Sequence, residues 1–403
     1  MPCCTSCNTR QQCLSEALLP FHARPEATVL AVLDTRWKCS CGKHRMPQIE
    51  VCVERGAVQR VSEIRRRLDL GRSCRLIHDA NTRRIAGMTI AQSLRNDDCK
   101  VSEAIVDRAD ETNVEKVVAS TGAGDLLIGI GGTSVLDITK LAAHKKNVRY
   151  VLFSTGIANN GMGSSIASIY VKGKKETFPA GVADAIIVDL AIIQSAPPWM
   201  APAGVGDLSA EATNLKDWEL GHVDNGEPFC ESIIELELAA LDDIFKEADA
   251  IKSRTDEGIK GMVESLIRSG VGMTIWGSSR PASGAEHLWS HWLDHYAEEK
   301  GIKFGLHGEQ IGIGTIIMAK YHELYNPIWW SRERYPNYQS EAILAMLRNV
   351  GAPTTPSQIG IGSELAREAF LHAWEYRKER YTILHKRHPT RDDVNNIMTE
   401  VGM

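Results

Sequence analysis

Short apolar runs alternate with helical patterns along the first half of the chain. The runs predict buried β-strands over 49–53, 75–78, 100–106, 126–130, 150–153 and 185–189. Apolar residues at helical spacing predict helices between them, over 56–68, 89–94, 113–120 and 135–144. Strands that alternate with helices in this way predict βαβ units and a largely parallel sheet.

The pattern changes near the Pro197-Pro198 pair. From there on, helical spacing predicts long helices over 207–220, 232–251, 256–273, 286–298, 308–325, 340–348 and 363–376. Before it, alternation over 166–178 around Gly173 predicts a β-hairpin. We therefore expect an α/β nucleotide-binding domain over 48–195 and an all-α domain over 196–403. A cysteine-rich extension over 1–47, with a strand at 28–33, precedes them.

Composition narrows the class of protein. The chain has 403 residues, of which 43% are hydrophobic and 24% charged, as in a globular protein with room for two domains. Its net charge of −5 gives no indication of nucleic-acid binding. No apolar run reaches the roughly 18 residues of a transmembrane helix, and the first residues do not resemble a signal peptide. We expect a cytoplasmic protein with reduced cysteines and a small-molecule substrate.

The cysteines are concentrated near the start of the chain. Cys4 and Cys7 form a Cys-x-x-Cys pair, and Cys39, Cys41 and His44 follow. Three or four of these side chains can hold a structural zinc ion, although their gaps match no common zinc-finger spacing. A cysteine-rich segment without metal is the alternative. The remaining cysteines are predicted to be ordinary buried thiols: Cys52, Cys74, Cys99 and Cys230.

A glycine-rich turn follows the predicted strand 126–130. It consists of Gly131, Gly132, Thr133 and Ser134, and it leads into a predicted helix, whose N-terminal N–H groups can bind phosphate. A plain tight turn is the alternative. Asp79 ends an earlier strand, where a carboxylate can bind the ribose of a nicotinamide cofactor or cap the following helix.

Histidines gather on one predicted helix and just after it. His287 and His291 are four residues apart and so lie on one face, and His307 follows downstream. Several imidazoles on one side of a helix are typical of a metal site or a proton-handling site. The same spacing also occurs on ordinary polar helix faces.

Several motifs occur in one order between about residues 38 and 375. They are Asp79-Ala-Asn-Thr-Arg-Arg-Ile-Ala-Gly87, the glycine-rich turn up to Asp137, Ala203-Gly-Val-Gly-Asp207, Asp217-Trp218, Gly226-Glu-Pro-Phe-Cys230, Ser279-Arg-Pro-Ala-Ser-Gly-Ala-Glu-His287 and His307-Gly-Glu309. This order resembles the sn-glycerol-1-phosphate dehydrogenases, especially the bacterial type. That family is grouped with the glycerol dehydrogenases, iron-containing alcohol dehydrogenases and dehydroquinate synthases.

The resemblance implies a dehydroquinate synthase-like fold with the active site between the two domains. It implies that Asp207, His287 and His307 bind one divalent metal ion, zinc or nickel, although Asp207 alone could also be a helix N-cap. His291 would support the ligands or handle protons. NAD(H) or NADP(H) would be bound by Asp79, Gly131, Gly132, Thr133, Ser134, Asp137 and Thr155. A homodimer is also implied.

The reaction implied is the reduction of dihydroxyacetone phosphate to sn-glycerol 1-phosphate. Three residues depart from the family pattern. Asn160, expected beside the substrate or the nicotinamide, stands where the family usually has Asp. Thr133 replaces a third glycine, and Glu211 stands where bacterial members often have Lys. These departures leave open a different phosphorylated or phosphonate-bearing carbonyl substrate. Two further alternatives are a dehydroquinate synthase-like cyclase and a non-catalytic protein with a decayed active site.

Overall fold

The computed structural model describes residues 37–326, 335 and 337–403. The predicted strand at 28–33 and the predicted zinc ligands Cys4 and Cys7 lie outside these residues. Within the described ranges, no helix is long and apolar enough to cross a membrane.

A parallel sheet of six strands forms the centre of the α/β part. Its strands, in the spatial order β1-β8-β5-β4-β2-β3, come from β1 (Glu50–Glu54), β2 (Ser73–His78), β3 (Lys100–Ile105), β4 (Leu126–Gly131), β5 (Tyr150–Ser154) and β8 (Ala185–Asp189). A separate antiparallel hairpin consists of β6 (Ile166–Val171) and β7 (Lys174–Pro179). The predicted parallel sheet is confirmed.

Strand side chains alternate between two hydrophobic cores. Val51, Val53 and Leu152 belong to the core that continues into the helical part, whereas Cys52 and Phe153 belong to a smaller core. This two-sided burial explains why the strands are continuously apolar, because a parallel sheet is covered by helices on both faces.

Helices connect the strands in the α/β part. They are α1 (Val61–Arg67), α2 (Met88–Asn96), α3 (Glu111–Ser120) and α4 (Thr133–Lys146). A helical turn, Ala80–Thr82, and a π-helical turn, Arg83–Gly87, lead directly into α2. Short 3₁₀ turns occur at Ala57–Gln59 and Asn160–Gly163.

The rest of the described chain is helical. Its helices are α5 (Leu190–Ser195), α6 (Met200–Ser209), α7 (Glu211–Asn225), α8 (Glu231–Lys246), α9 (Ala248–Lys252), α10 (Asp256–Trp276), α11 (Ala285–Lys300), α12 (His307–Tyr325), α13 (Ser340–Val350), α14 (Ser363–His372), α15 (Ile383–Lys386) and α16 (Arg391–Glu400). Further 3₁₀ turns lie at Arg280–Ala282, Pro356–Ile359 and Ala373–Glu375. The all-α character predicted for this part is confirmed.

Two predicted helices are divided. The prediction over 207–220 crosses the junction of α6 and α7 at Ala210. There, the Ser209 hydroxyl donates to the carbonyl of Gly206 at 2.6 Å, and such bonds back to the preceding turn bend helices. The prediction over 232–251 crosses the junction of α8 and α9 at Glu247.

Glycines let the elements around the cleft pack backbone to backbone. A Cβ on Gly204 of α6 would lie 2.0 Å from the carbonyl oxygen of Ile157. A Cβ on Gly308 of α12 would lie 1.9 Å from the carbonyl oxygen of Ala203. Larger residues would separate α6 from both neighbours, so these glycines set the distances within the site.

Gly270 provides a test of this packing. A Cβ at this position of α10 would lie 2.5 Å from the carbonyl oxygen of Asn160, so we expect Gly270→Ala to lower the free energy of unfolding by about 1–3 kcal/mol. In the control Gly71→Ala, the nearest atom would be 3.5 Å away, and the change should stay within about 0.5 kcal/mol. Denaturant titration measures both. Equal stability of the two variants would contradict this account.

Candidate active site

The carboxyl ends of β2 and β4 meet at a topological switch point. β2 has β3 as its other neighbour, whereas β4 has β5, so the chain leaves this pair in opposite directions. The two strands pair in parallel, with His78 opposite Ile130. Asp79 and Gly131 therefore lie at the same edge of the sheet. In open parallel sheets, a crevice of this kind is where dinucleotides bind.

The glycines of the β4–α4 turn have different roles. A Cβ on Gly131 would lie 2.6 Å from Val135, so glycine is needed there for strand and helix to pack closely. A Cβ on Gly132 would have nothing within 4 Å, so the backbone at the start of α4 faces open space. Thr133 donates its hydroxyl hydrogen to Oδ1 of Asn159 at 2.9 Å, and Ser134 is exposed. The N–H groups at the N-terminus of α4 are thus placed to bind an anion.

Asp79 caps the helical turn that follows β2. Its Oδ1 accepts hydrogen bonds from the N–H groups of Asn81 at 2.7 Å and Thr82 at 2.8 Å. The capping interpretation is therefore confirmed. The cap also fixes the carboxylate at the edge of the switch-point crevice, and its contact with a ribose stays a prediction.

The two other predicted cofactor residues differ in placement. Thr155 follows β5, and its N–H donates to the carbonyl of Gly131 at 3.0 Å, which places it beside the glycine-rich turn. Asp137 is buried, and its oxygens contact Nζ of Lys140 at 2.7 Å and the N–H of Ser168 at 3.1 Å. This geometry gives Asp137 a structural role in place of the cofactor contact expected from the sequence.

Asp207, His287 and His307 converge from three helices, α6, α11 and α12. One ligand atom of each lies within 4.8 Å of the others. Nε2 of His307 is 3.7 Å from Oδ1 of Asp207, a separation that a shared cation can bridge. Asp207 lies inside α6 and not at its start, so the N-cap alternative is wrong.

The environment of these three side chains suits a divalent cation. Burial raises the pKa of the Asp207 carboxyl, against the lowering effects of His287 and the Asn160 N–H. Burial lowers the pKa of His307 well below its usual value, and nearby Lys175 and His287 act in the same direction. His307 is therefore a neutral imidazole with a lone pair to donate. One carboxylate and two imidazoles, with positions left open, form the ligand set of catalytic zinc sites.

Neighbouring side chains orient both imidazoles. Nδ1 of His287 lies 2.8 Å from Oε1 of Glu286, and because a carboxylate only accepts, Nδ1 donates and Nε2 remains for an ion. Glu286 is completely buried and also accepts from the Thr213 hydroxyl at 2.6 Å. The Ser290 hydroxyl lies 3.4 Å from Nδ1 of His307. Sequence reasoning missed Glu286 and Ser290, although an acid directly before a predicted ligand is a signal for the first.

His291 packs beside the three ligands. Its ring centroid lies 6.1 Å from that of His287 and 6.0 Å from that of His307, and it stacks on Tyr376 at 5.8 Å. Burial, with Arg377 and other nearby positive groups, lowers the pKa of His291 well below its usual value. Its Nδ1 has no hydrogen-bond partner within the described part of the chain.

Asn160 and Glu211, two departures from the family pattern, are joined by one hydroxyl. The amide nitrogen of Asn160 donates to Oγ of Ser269 at 3.1 Å, and Ser269 donates to Oε1 of Glu211 at 2.7 Å. Burial and the neighbouring Glu237 raise the pKa of Glu211 well above its usual value. Glu211 is thus completely buried beneath Asn160 and is held there by Ser269.

The backbone of Asn160, and not its side chain, contacts the metal-ligand group. Its N–H donates to Oδ2 of Asp207 at 3.0 Å, while its amide nitrogen is directed to Ser269. The structure therefore places Asn160 as a residue that positions Asp207. The expected contact of the Asn160 side chain with substrate or nicotinamide stays a prediction.

A basic pair lies on the hairpin side of the histidines. Lys175, on β7, lies 3.5 Å from Oδ2 of Asp294, and its charge acts on the pKa of His291. Arg377, from the segment after α14, donates to the Thr177 hydroxyl at 3.0 Å and acts on the same imidazole. Sequence reasoning missed both residues, because they lie far apart in sequence and only the fold brings them together.

The predicted zinc ligands Cys39, Cys41 and His44 also come together, away from this site. Cys230 completes their group, so its interpretation as an ordinary buried thiol is corrected.

The fold is that of the iron-containing alcohol dehydrogenases and glycerol dehydrogenases. The family model described as iron-containing alcohol dehydrogenase matches residues 52–197. The fold resembles glycerol dehydrogenase from Schizosaccharomyces pombe, with a TM-score of 0.71 and 19% identity over 88% of this chain and 89% of that chain. It also resembles NADH-dependent butanol dehydrogenase A from Thermotoga maritima, with a TM-score of 0.67 and 16% identity over 88% and 97% of the two chains.

Relatives found by sequence similarity identify the family more specifically than the fold does. The glycerol-1-phosphate dehydrogenase (NAD(P)+) of Pyrococcus horikoshii is 37% identical over 356 residues, which cover 88% of this chain and 97% of the relative. That of Thermococcus sibiricus is 38% identical over 339 residues, which cover 84% and 91%. The chain belongs to the family of NAD(P)-dependent glycerol-1-phosphate dehydrogenases, and the resemblance seen in the motifs is confirmed.

Glu286→Gln tests the support of His287. Glutamine has one side-chain oxygen, so it cannot accept from His287 and from Thr213 through two oxygens as Glu286 does. His287 is then no longer fixed with Nε2 toward the ion, and we expect the affinity for the metal ion to fall about 10–100-fold. Glu299→Gln is the control, since Glu299 is an exposed acid on the same helix, with 62% of its side-chain surface accessible. Competition with a chelator measures the affinity of both. Unchanged affinity in Glu286→Gln would refute the role of this carboxylate.

Proposed function

We propose that this protein reduces dihydroxyacetone phosphate to sn-glycerol 1-phosphate with NADH or NADPH. The observation that carries the proposal is the convergence of Asp207, His287 and His307. This group is connected to the glycine-rich turn through Asn159, which accepts from Thr133, and Asn160, which donates to Asp207. The names of the Pyrococcus and Thermococcus relatives support the substrate and the cofactor.

The three ligands would hold one zinc or nickel ion. The bound ion supplies Lewis-acid stabilisation of charge on the substrate oxygen, and the nicotinamide supplies the hydride. Asp207 provides the negative charge of the ligand set, and Glu286 keeps His287 in the tautomer that can coordinate. The backbone packing of α6 and α12 holds the three donors at fixed separations, so little reorganisation is needed during the reaction.

The cofactor would lie along the switch-point crevice. The N-terminus of α4 at Gly132, Thr133 and Ser134 suits the pyrophosphate, because its N–H groups and helix dipole favour an anion. The capped carboxylate of Asp79 suits the ribose hydroxyls. The same carboxylate repels a 2′-phosphate, which favours NADH over NADPH.

Lys175 and Arg377 would bind the phosphate of the substrate. They are close enough to influence the same buried imidazole, His291, and they are partly accessible. Two cations on one side of the metal-ligand group would fix the orientation of a short phosphorylated ketone. His291 would relay the proton to the product oxygen, because its ring lies beside those of the ligands His287 and His307.

The changed-substrate alternative rested mainly on Asn160 and Glu211. Glu211 is buried and is joined through Ser269 to Asn160, so these two departures meet in one internal contact. A cyclase of the dehydroquinate synthase kind would regenerate its NAD in each turnover, and continuous NADH consumption would exclude it.

We further propose two domains, over 48–195 and 196–403, a homodimer and a cytoplasmic location. Light scattering of the purified protein and fractionation of cells would test the last two.

Turnover assays test the proposed reaction. We expect NADH oxidation with dihydroxyacetone phosphate, sn-glycerol 1-phosphate as the product, and a loss of at least about 100-fold in kcat/KM in Asp207→Asn, because a ligand charge is removed. Asp98→Asn is the control, since this exposed residue has φ 53°, which Asn tolerates. Absence of turnover with this ketone, or full activity in Asp207→Asn, would refute the proposed function.

Lys175→Ala tests the phosphate site. Loss of one charge-assisted hydrogen bond should raise KM for dihydroxyacetone phosphate about 10–100-fold and leave KM for unphosphorylated dihydroxyacetone unchanged. Lys174→Ala is the matched control, because successive side chains on a strand point to opposite faces. A rise in KM of similar size for both ketones would show that Lys175 does not bind the phosphate.

A further inference from the structure

A second group of metal-ligating side chains lies outside the active site. Cys39, Cys41 and His44 belong to the segment before β1, and Cys230 directly precedes α8. One donor atom from each of the four lies within 4.8 Å of the others. We propose that these four residues bind a structural divalent metal ion, zinc by its donor chemistry, and thereby fasten the segment before β1 to the helical part. The inference is independent of the proposed dehydrogenase reaction.

The donor atoms form a compact four-cornered group. Sγ of Cys39 lies 2.9 Å from Sγ of Cys41 and 3.3 Å from Sγ of Cys230. Nδ1 of His44 lies 3.3, 3.2 and 3.4 Å from the sulfur atoms of Cys39, Cys41 and Cys230. Bonds of about 2.3 Å to sulfur and about 2.0 Å to nitrogen place tetrahedral zinc ligands roughly 3.5–3.8 Å apart. The distances from Nδ1 of His44 to the sulfur atoms are thus close to those in a tetrahedral zinc site. The Sγ atoms of Cys39 and Cys41 must move apart by about 1 Å when an ion binds.

A tight turn brings three of the ligands to one side. The N–H of Gly42 donates to the carbonyl of Cys39 at 2.9 Å, and Gly42 has φ 70°, a left-handed conformation that favours glycine. The N–H of Lys43 donates to Sγ of Cys41 at 3.4 Å, which stabilises the thiolate form that binds metals. The turn therefore presents the two sulfur atoms and the imidazole as a preformed set.

The fourth ligand comes from a distant part of the chain, and other contacts hold the two segments together. The N–H of Ser40 donates at 3.0 Å to the hydroxyl of Ser232, which lies two residues after Cys230. The His44 ring lies 5.5 Å from that of Trp276, which packs against Trp218 at 4.8 Å. His44 thus packs against aromatic side chains at the edge of the main core.

Metal binding accounts for this arrangement better than bonds among free thiols. Thiols are weak donors and acceptors, so three of them around one imidazole nitrogen satisfy few strong hydrogen bonds. Three cysteines and one histidine are a known ligand set of structural zinc sites, which leave no position open for water. The group differs in this respect from Asp207, His287 and His307, which leave room for a substrate.

Metal analysis of the full-length protein tests the proposal. With excess zinc followed by gel filtration, we expect two zinc ions per chain in the wild type and one in Cys230→Ser and in His44→Ala. His287→Ala should also retain one ion, from the second site. Cys52→Ala is the matched control, since Cys52 is a buried cysteine of the sheet, and it should retain two. The double variant Cys4→Ser/Cys7→Ser should likewise retain two.

Cobalt substitution gives a second measurement, which identifies sulfur ligands in the wild-type protein itself. Wild type and His287→Ala loaded with Co²⁺ should both show a sulfur-to-metal charge-transfer band, and Cys230→Ser should lack its full intensity. The proposal is overturned if the wild type shows no such band, if Cys230→Ser keeps the second ion, or if Cys4→Ser/Cys7→Ser loses it. Loss of two titratable thiols in the unreduced, unfolded wild type would indicate a disulfide and would also overturn it.

Discussion

A buried carboxylate that lies between two imidazoles is the constraint on which the active site depends. Asp207 is almost fully buried, and its Oδ2 accepts a hydrogen bond from the Asn160 N–H. Removing a carboxylate from water costs several kcal/mol unless an opposite charge compensates it. A divalent ion shared with His287 and His307 would provide that compensation, and the close backbone packing at the glycines of α6 and α12 brings the donor atoms near one another.

The two most conspicuous departures from the family pattern become one feature in the folded protein. The side chains of Asn160 and Glu211 both bond to the Ser269 hydroxyl, and Asn160 is also the residue that positions Asp207. An Asp at position 160 would place a second carboxyl group next to Glu211 and close to Asp207, whereas the amide donates a hydrogen bond without adding charge. Asn160 is thereby held from below by Ser269, while its backbone N–H supports Asp207.

Much of the fold follows from the sequence, because a parallel sheet covered on both faces produces continuous apolar strands such as Leu126–Gly131. The family resemblance of the motifs implied Asp207, His287 and His307 as a ligand set, and the structure brings these three side chains together. Lys175, Arg377 and Cys230 could not be found in this way. Each lies far along the chain from the residues it approaches, and only the tertiary structure brings them together. Asp137 shows that the sequence can also suggest a contact that the structure does not make. A polar residue after a glycine-rich turn can form a buried ion pair, here with Lys140, as readily as it can bind a cofactor.

Anomalous diffraction from crystals of the zinc-loaded, catalytically active protein tests the central claim most directly. Data collected on both sides of the zinc absorption edge should show a peak within bonding distance of Asp207, His287 and His307, about 2.0–2.2 Å from the oxygen and nitrogen ligands. A fully active preparation whose crystals show no anomalous peak among these three side chains would contradict the account.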